Sequence, residues 1–170
     1  NSIKKGMVLI SEDRRGKALV GNLSIKENVL LSCIDRYAKH GYLDEKKEKQ
    51  DVSEKAEALK IRMTGLDQRI IELSGGNQQK AVFAKALMTD PKVFLCDEPT
   101  QAVDIMTRNE IHKLLREKAD AGNAVVYVSS DLKEILEVAD TIQLVVQGET
   151  RQLLVNENLT TTEVLSYCYE

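Results

Sequence analysis

The chain has 170 residues, with 24 lysines and arginines against 27 aspartates and glutamates and a formal net charge of −3. That length supports one domain of fair size, or a domain lacking a piece. The charge is mildly acidic and no basic stripe carries interleaved aromatics, so no nucleic-acid footprint is visible, and no apolar run reaches the length of a membrane-spanning helix or a secretory segment.

In chain order, residues 7–11 read as a strand, followed by a charged loop from Glu12 to Lys17. Ser24 with Glu27 three positions on forms a capping box. The helix it opens carries an apolar face of Ile25, Val29, Leu30, Cys33, Ile34 and Tyr37. His40 before Gly41 reads as a helix C-terminus. A charged helical stretch over residues 44–60 and a loop around Thr64 and Gly65 lead to a helix over 77–88, where Phe83, Ala84, Leu87 and Met88 share one face. The whole block 22–89 reads as helical, without a strand.

Alternation begins after it. A strand over 92–96, bounded by Pro91 and Pro99, precedes a helix over 105–121 whose Ile111, Leu114 and Leu115 face the core, with His112 on its surface. Then come a strand over 124–129, a helix over 131–138, a strand over 141–146, a turn at Gln147 and Gly148, a strand over 150–155 and a helix from 161. Strand–helix–strand alternation predicts an α/β fold with a mainly parallel sheet and an inserted helical subdomain. The expected organisation is one partial domain over 1–170, with the helical subdomain at 22–89 and an α/β part at 90–170 whose last two strands form an antiparallel hairpin on the sheet edge. Cys33, Cys96 and Cys168 are odd in number and irregularly spaced, which gives neither a zinc site nor a disulfide framework and fits a reducing interior.

Two runs carry chemistry. In Leu73-Ser74-Gly75-Gly76-Asn77-Gln78-Gln79-Lys80, Ser74 stands at an N-cap and the two glycines allow the backbone to approach a ligand closely. The free N–H groups and positive dipole end of such a helix attract phosphate. An ordinary capped helix has no need of two adjacent glycines. In Val93-Phe94-Leu95-Cys96-Asp97-Glu98-Pro99-Thr100, Asp97 sits at the C-terminal end of a buried strand, where open α/β folds bind ligands. Its carboxylate suits the water shell of magnesium, and Glu98 beside it suits orientation or deprotonation of an attacking water. A phosphate loop, G-x-x-x-x-G-K-[ST], is absent: the nearest approach, Gly16-Lys17-Ala18, has Ser11 at the first glycine and alanine at the metal-binding hydroxyl. The expectation is a piece of a longer polypeptide, cut downstream of such a loop.

The first run resembles the signature of ABC transporter ATPases, in the wording found in the second half of duplicated ATPase subunits of bacterial sugar importers (ribose, galactose, arabinose, xylose or autoinducer-2). Phe94 to Thr100 resembles their Walker B strand, Ala102-Val103-Asp104 their D-loop, and Ile10-Ser11-Glu12-Asp13-Arg14 the segment at their Q-loop. The resemblance implies ATP and Mg2+ as cofactors. It also implies Leu73, Ser74, Gly75, Gly76, Asn77, Gln78 and Asp104 as nucleotide contacts, Asp97 as the magnesium ligand through water, and Glu98 as the catalytic carboxylate. Glu12 stands where the Q-loop glutamine belongs and Ser130 where the switch histidine belongs, so the site built on this Walker B is weakened. Implied partners are the other ABC half-domain of the same polypeptide, transmembrane permease subunits and, indirectly, a periplasmic or extracellular solute-binding protein. The implied location is the cytoplasmic face of the cell membrane. Two alternatives stay open: a non-catalytic interaction half, and an ABC-type ATPase acting on nucleic acid.

Overall fold

A computed structural model describes residues 2–39 and 42–169; the expected helix end at His40 and Gly41 lies outside the described residues. The chain forms two compact units, Asn1–Val126 and Tyr127–Glu170.

In the first unit, β1 (Met7–Ile10) leads through a one-turn π-helix, Arg14–Ala18, to α1 (Ile25–Leu30). A two-stranded antiparallel pair follows, β2 (Ala38–Lys39) and β3 (Tyr42–Leu43), then α2 (Glu45–Ala58) and α3 (Gly75–Leu87). The chain then returns to the sheet as β4 (Val93–Asp97), continues in α4 (Ile105–Asp120), and ends in β5 (Ala124–Val128), inside which the division between units falls. The sheet order is β1-β4-β5, and β1 pairs with β4 in parallel, Ile10 opposite Cys96. The expected parallel pairing and inserted helical block are therefore present. The block does hold a strand pair, however; two-residue strands are too short to leave a periodic signature.

The capping box forms as read: Ser24 Oγ accepts from the Glu27 amide at 3.2 Å and Glu27 accepts from the Ser24 amide at 2.7 Å. The helix it opens stops at Leu30, and Ile34 belongs instead to a separate 3-10 turn, Ile34–Arg36. α3 is the centre of the unit. Ala81, Val82, Phe83, Ala84 and Ala86 are all buried, so α3 is apolar on most sides, as a helix surrounded by others must be. It packs on α1, α2 and β1. Its C-terminal end is closed by Arg36, which donates to the carbonyls of Met88 and Thr89, both at 2.8 Å, relieving acceptors that the helix itself leaves unpaired.

The second unit has its own core: Ile135, Ile142, Leu144, Leu154 and Val164 pack among α5 (Leu132–Val138), β6 (Thr141–Val146), β7 (Glu149–Val155) and α6 (Thr161–Tyr169). Gln147 and Gly148 join β6 to β7 with φ of 54° and 83°, the two positive angles that suit the right-handed twist of a hairpin. The hairpin forms a two-stranded sheet of its own, not an edge of the main sheet. Its inward face is already covered by α5 and α6, so its burial needs no ladder to the parallel strands. Asn156 Nδ2 ties the hairpin end to α5 by donating to the carbonyls of Leu136 (2.9 Å) and Ala139 (2.8 Å). Among the described residues no helix is long and apolar enough to cross a membrane.

Asn28, fully buried in α1, holds the loop that links β1 to that helix. Its Oδ1 accepts from the Val20 amide at 2.8 Å, and its Nδ2 donates to the carbonyls of Val20 and Ser24, both at 3.0 Å. Asn28→Leu strands several buried backbone groups and is expected to lower the unfolding free energy by about 2–3 kcal/mol, read by urea denaturation. A loss below about 0.5 kcal/mol would show that the network contributes nothing net.

Candidate nucleotide site

The signature run begins outside the helix and ends inside it. Ser74 is exposed and extended (φ −60°, ψ 157°), and its Oγ accepts from the Asn77 amide at 3.5 Å and from Asn77 Nδ2 at 2.9 Å. Asn77 Oδ1 in turn accepts from the Arg62 amide at 2.9 Å. Asn77 therefore braces the cap against the loop before it. Leu73 and Gln78 face inward: both are buried, and Gln78 Nε2 donates to the Leu73 carbonyl at 2.9 Å. Gln78 stands in the ligand-facing set implied by the resemblance; here its amide is engaged by the backbone of its own loop. Gln79 Nε2 donates to the Pro99 carbonyl at 2.6 Å, joining α3 to the turn after β4. Lys80 pairs with Glu110 of α4. Three consecutive polar side chains thus fasten α3 to three surfaces.

The two glycines do different work. At Gly75 an added Cβ would meet nothing closer than the Ala102 carbonyl at 3.7 Å, which is ordinary contact. At Gly76 it would lie 2.7 Å from Thr107 Oγ1 and 3.0 Å from Asp104 Oδ2. Gly76 is thus a helix–helix contact, letting the first turn of α3 press against the first turn of α4, while Gly75, half-buried beside Ser74, has room for a side chain. Asp104 caps α4: it accepts from the Thr107 amide at 2.9 Å and the Thr107 hydroxyl at 2.8 Å. The amide bond first, and then the hydroxyl bond, hold its carboxyl below the usual carboxylate range.

Asp97 is exposed at the C-terminal end of β4, and the register of β1 on β4 brings Ser11 and Glu12 out at the same end of the sheet. Glu98 follows with a φ of 45°, in the left-handed region that a non-glycine residue enters rarely. Under strict strand alternation Glu98 would point to the same side as buried Cys96; the reversal turns the chain and leaves its side chain half-exposed. Burial pushes the Cys96 thiol up to about 12, so it stays protonated at neutral pH and is no nucleophile. Ser130 is exposed between β5 and α5. Its neighbours build the α5 cap: Asp131 Oδ1 accepts from the Lys133 amide at 3.0 Å, and Ser129 Oγ donates to Glu134 at 2.9 Å.

No group of three or more acidic, histidine or cysteine side chains that could hold a metal is assembled among the described residues. Asp97 nonetheless fits magnesium, which keeps most of its waters and takes one or two carboxylates together with phosphate oxygens. Arg14, Gln79 and Thr107 all shape the site; Arg14 and Gln79 lie inside the quoted runs without a role read for either, and Thr107 lies outside them.

Gly76→Ala is expected to cost about 1–3 kcal/mol of stability, because its new carbon has no room against the Asp104–Thr107 cap. Gly75→Ala is expected to be neutral or to gain up to about 1 kcal/mol. Equal effects in thermal unfolding would contradict the contact geometry. The Asp104 cap stabilises the fold above the ordinary carboxylate pKa and is lost as pH falls through the lowered value. Thr107→Val removes the hydroxyl bond and leaves the amide bond, so an NMR titration should find the Asp104 carboxyl moved part of the way back up; an unmoved titration would contradict the assignment.

Comparison with known proteins places this geometry. A family model described as "ABC transporter" matches residues 1–101. The xylose import ATP-binding protein XylG of Paraburkholderia xenovorans is 37% identical over 166 residues, covering 98% of this chain and 32% of that protein. The ribose import ATP-binding protein RbsA of Lactococcus lactis is 39% identical over 164 residues, covering 96% of this chain and 33% of that protein. This chain therefore spans about a third of the length of these curated relatives. Among solved structures, the dimeric ATP-binding cassette MJ0796, in a post-hydrolysis state bound to ADP and Pi, matches with a TM-score of 0.75 at 25% identity, over 90% of this chain and 64% of that one. The fold is thus that of an ABC ATPase, and this chain belongs to the ABC transporter family.

Proposed function

We propose that this chain is part of the nucleotide-binding, ATP-hydrolysing component of an ABC importer for a sugar, working from the cytoplasmic face of the membrane with permease subunits. Relatives named as xylose and ribose import ATP-binding proteins support the solute class. Within that component its role is asymmetric. Ser74, Gly75 and Gly76 complete the hydrolytic site of the other ABC half-domain, while the site beside Asp97 and Glu98 turns over slowly or only binds.

The observation that carries this reading is the contrast between the two ends of the chemistry. At the signature end of α3 the wording Ser74-Gly75-Gly76 is intact, and Ser74 is exposed where it caps the helix. On the family resemblance, Glu12 and Ser130 stand where a glutamine and a histidine would serve the chain's own carboxylates. A negatively charged Glu12 in place of a neutral glutamine adds repulsion toward phosphate, and a serine cannot supply the cationic or proton-bearing ring of a histidine. The same contrast favours a second reading, a purely non-catalytic half that donates its signature and hydrolyses nothing.

In either reading the N–H groups of the first turn of α3 and the Ser74 hydroxyl receive a γ-phosphate across the interface. Magnesium, when bound, neutralises phosphate charge, and Asp97 would hold it through water. Because the phosphate bridges two bodies, closure persists while the triphosphate is intact and is released by hydrolysis. A periplasmic or extracellular solute-binding protein would feed the permease.

In the full-length protein, Ser74→Arg is expected to lower ATP turnover on the order of 10²-fold by blocking the phosphate-facing end, and Glu98→Gln to lower it far less. Equal losses would contradict the asymmetry.

A further inference from the structure

The loop after β1 is tied to α3 at two points. Arg14 Nη1 donates to the Gly75 carbonyl at 3.2 Å, and Lys85 Nζ donates to the Ala18 carbonyl at 2.9 Å. Gly75 and Lys85 are ten residues apart on one helix, about 15 Å along its axis. Between the two ties the loop is itself stiffened: Asp13 accepts from the Gly16 amide at 2.8 Å and caps the π-helical turn Arg14–Ala18. Arg14 Nη2 also lies 3.9 Å from the place a Cβ on Gly75 would occupy, and the Ala102 carbonyl lies 3.7 Å from it on the turn after β4. Gly75 is therefore the junction of three segments: the loop after β1, the signature helix and the turn after the Walker B strand.

We infer that Arg14 is a positioning residue for the signature, holding the phosphate-facing end of α3 to the loop that carries Glu12. The inference rests on the reading of that end as the one that meets a γ-phosphate. The loop cannot slide along α3 without breaking the Arg14 or the Lys85 bond. A displacement of Glu12 and its neighbours is consequently delivered to the Gly75 carbonyl and to the amides beside it. Burial of Lys85 disfavours its charged form, and the bond to the Ala18 carbonyl offsets part of that cost. Arginine suits the other tie because its planar donors keep direction while its stem packs.

The test uses the full-length protein with its membrane partners and compares Arg14→Met, Arg14→Lys, Ser74→Ala and the Arg14→Met/Ser74→Ala double variant. Arg14→Met keeps the stem and removes the donors; turnover at saturating ATP is expected to fall about tenfold with little change in KM. Arg14→Lys should recover part of the loss. The double variant should be no slower than the worse single variant, because both act through one helix end. Full turnover in Arg14→Met beside a loss in Ser74→Ala overturns the role of Arg14 and leaves the signature reading standing. Full turnover in Ser74→Ala overturns the signature reading on which the inference rests. Multiplying losses in the double variant place the action of Arg14 elsewhere and also overturn it. If Arg14→Met does not fold, amide hydrogen exchange in Arg14→Lys decides: faster exchange over residues 75–79 than in the parent supports the tie, and unchanged exchange overturns it.

Discussion

The close approach of α3 to α4 at Gly76 is the constraint on which the candidate site depends. Thr107 and Asp104 occupy the space a side chain would need, so the two helix starts can meet only over a bare backbone. That contact fixes the N-terminus of α3 against the D-loop cap. Gln79 fixes the same helix to the turn carrying Glu98 and Pro99, and Lys80 fixes it to Glu110 farther along α4. A helix end that must offer its amides to a ligand gains from such bracing, because its donors then need no rearrangement when charge arrives. Of these side chains Gln79, Lys80 and Thr107 are buried, and each has its partner, as burial requires.

Much of this was legible in the sequence, and the reasons are local. The Ser24 capping box, the Ser74 cap and the Gln147–Gly148 turn each involve residues within a few positions of one another, so residue type alone carried the structure. The strand at 92–96 stood out because prolines bound an apolar run. What escaped was set by partners distant in sequence. The sequence points to a ligand approach at Gly76 and gives no sign of its second neighbour, α4, roughly thirty positions on. Gln78 belongs to the ligand contacts implied by the signature wording, and only the fold reveals the bond of its amide to the Leu73 carbonyl. The separate hairpin sheet escaped because alternation reports which face of a strand is buried and not what buries it.

The electrostatic reading of the site also follows from geometry. Asp97 and Glu98 leave the sheet at the same end as Glu12 without being gathered into one metal-holding group, and negative charge at that end is unfavourable for naked phosphate. Ser74 and Gly75 present the opposite character, donors at a positive helix end. Under the proposed function these two sets of groups serve two different sites. Pairing with a second ABC half-domain is the proposed arrangement that uses both; the curated relatives this chain matches are about three times its length.

The central claim is that this chain contributes a signature to a shared site and does not grip the nucleotide by itself. Calorimetric titration of the chain alone with Mg-ATP tests it most directly. The account predicts no saturable heat up to millimolar nucleotide, because the donors at the end of α3 meet only one face of the phosphates. Saturable binding at a stoichiometry of one would contradict it, since a complete phosphate grip would then lie within these residues.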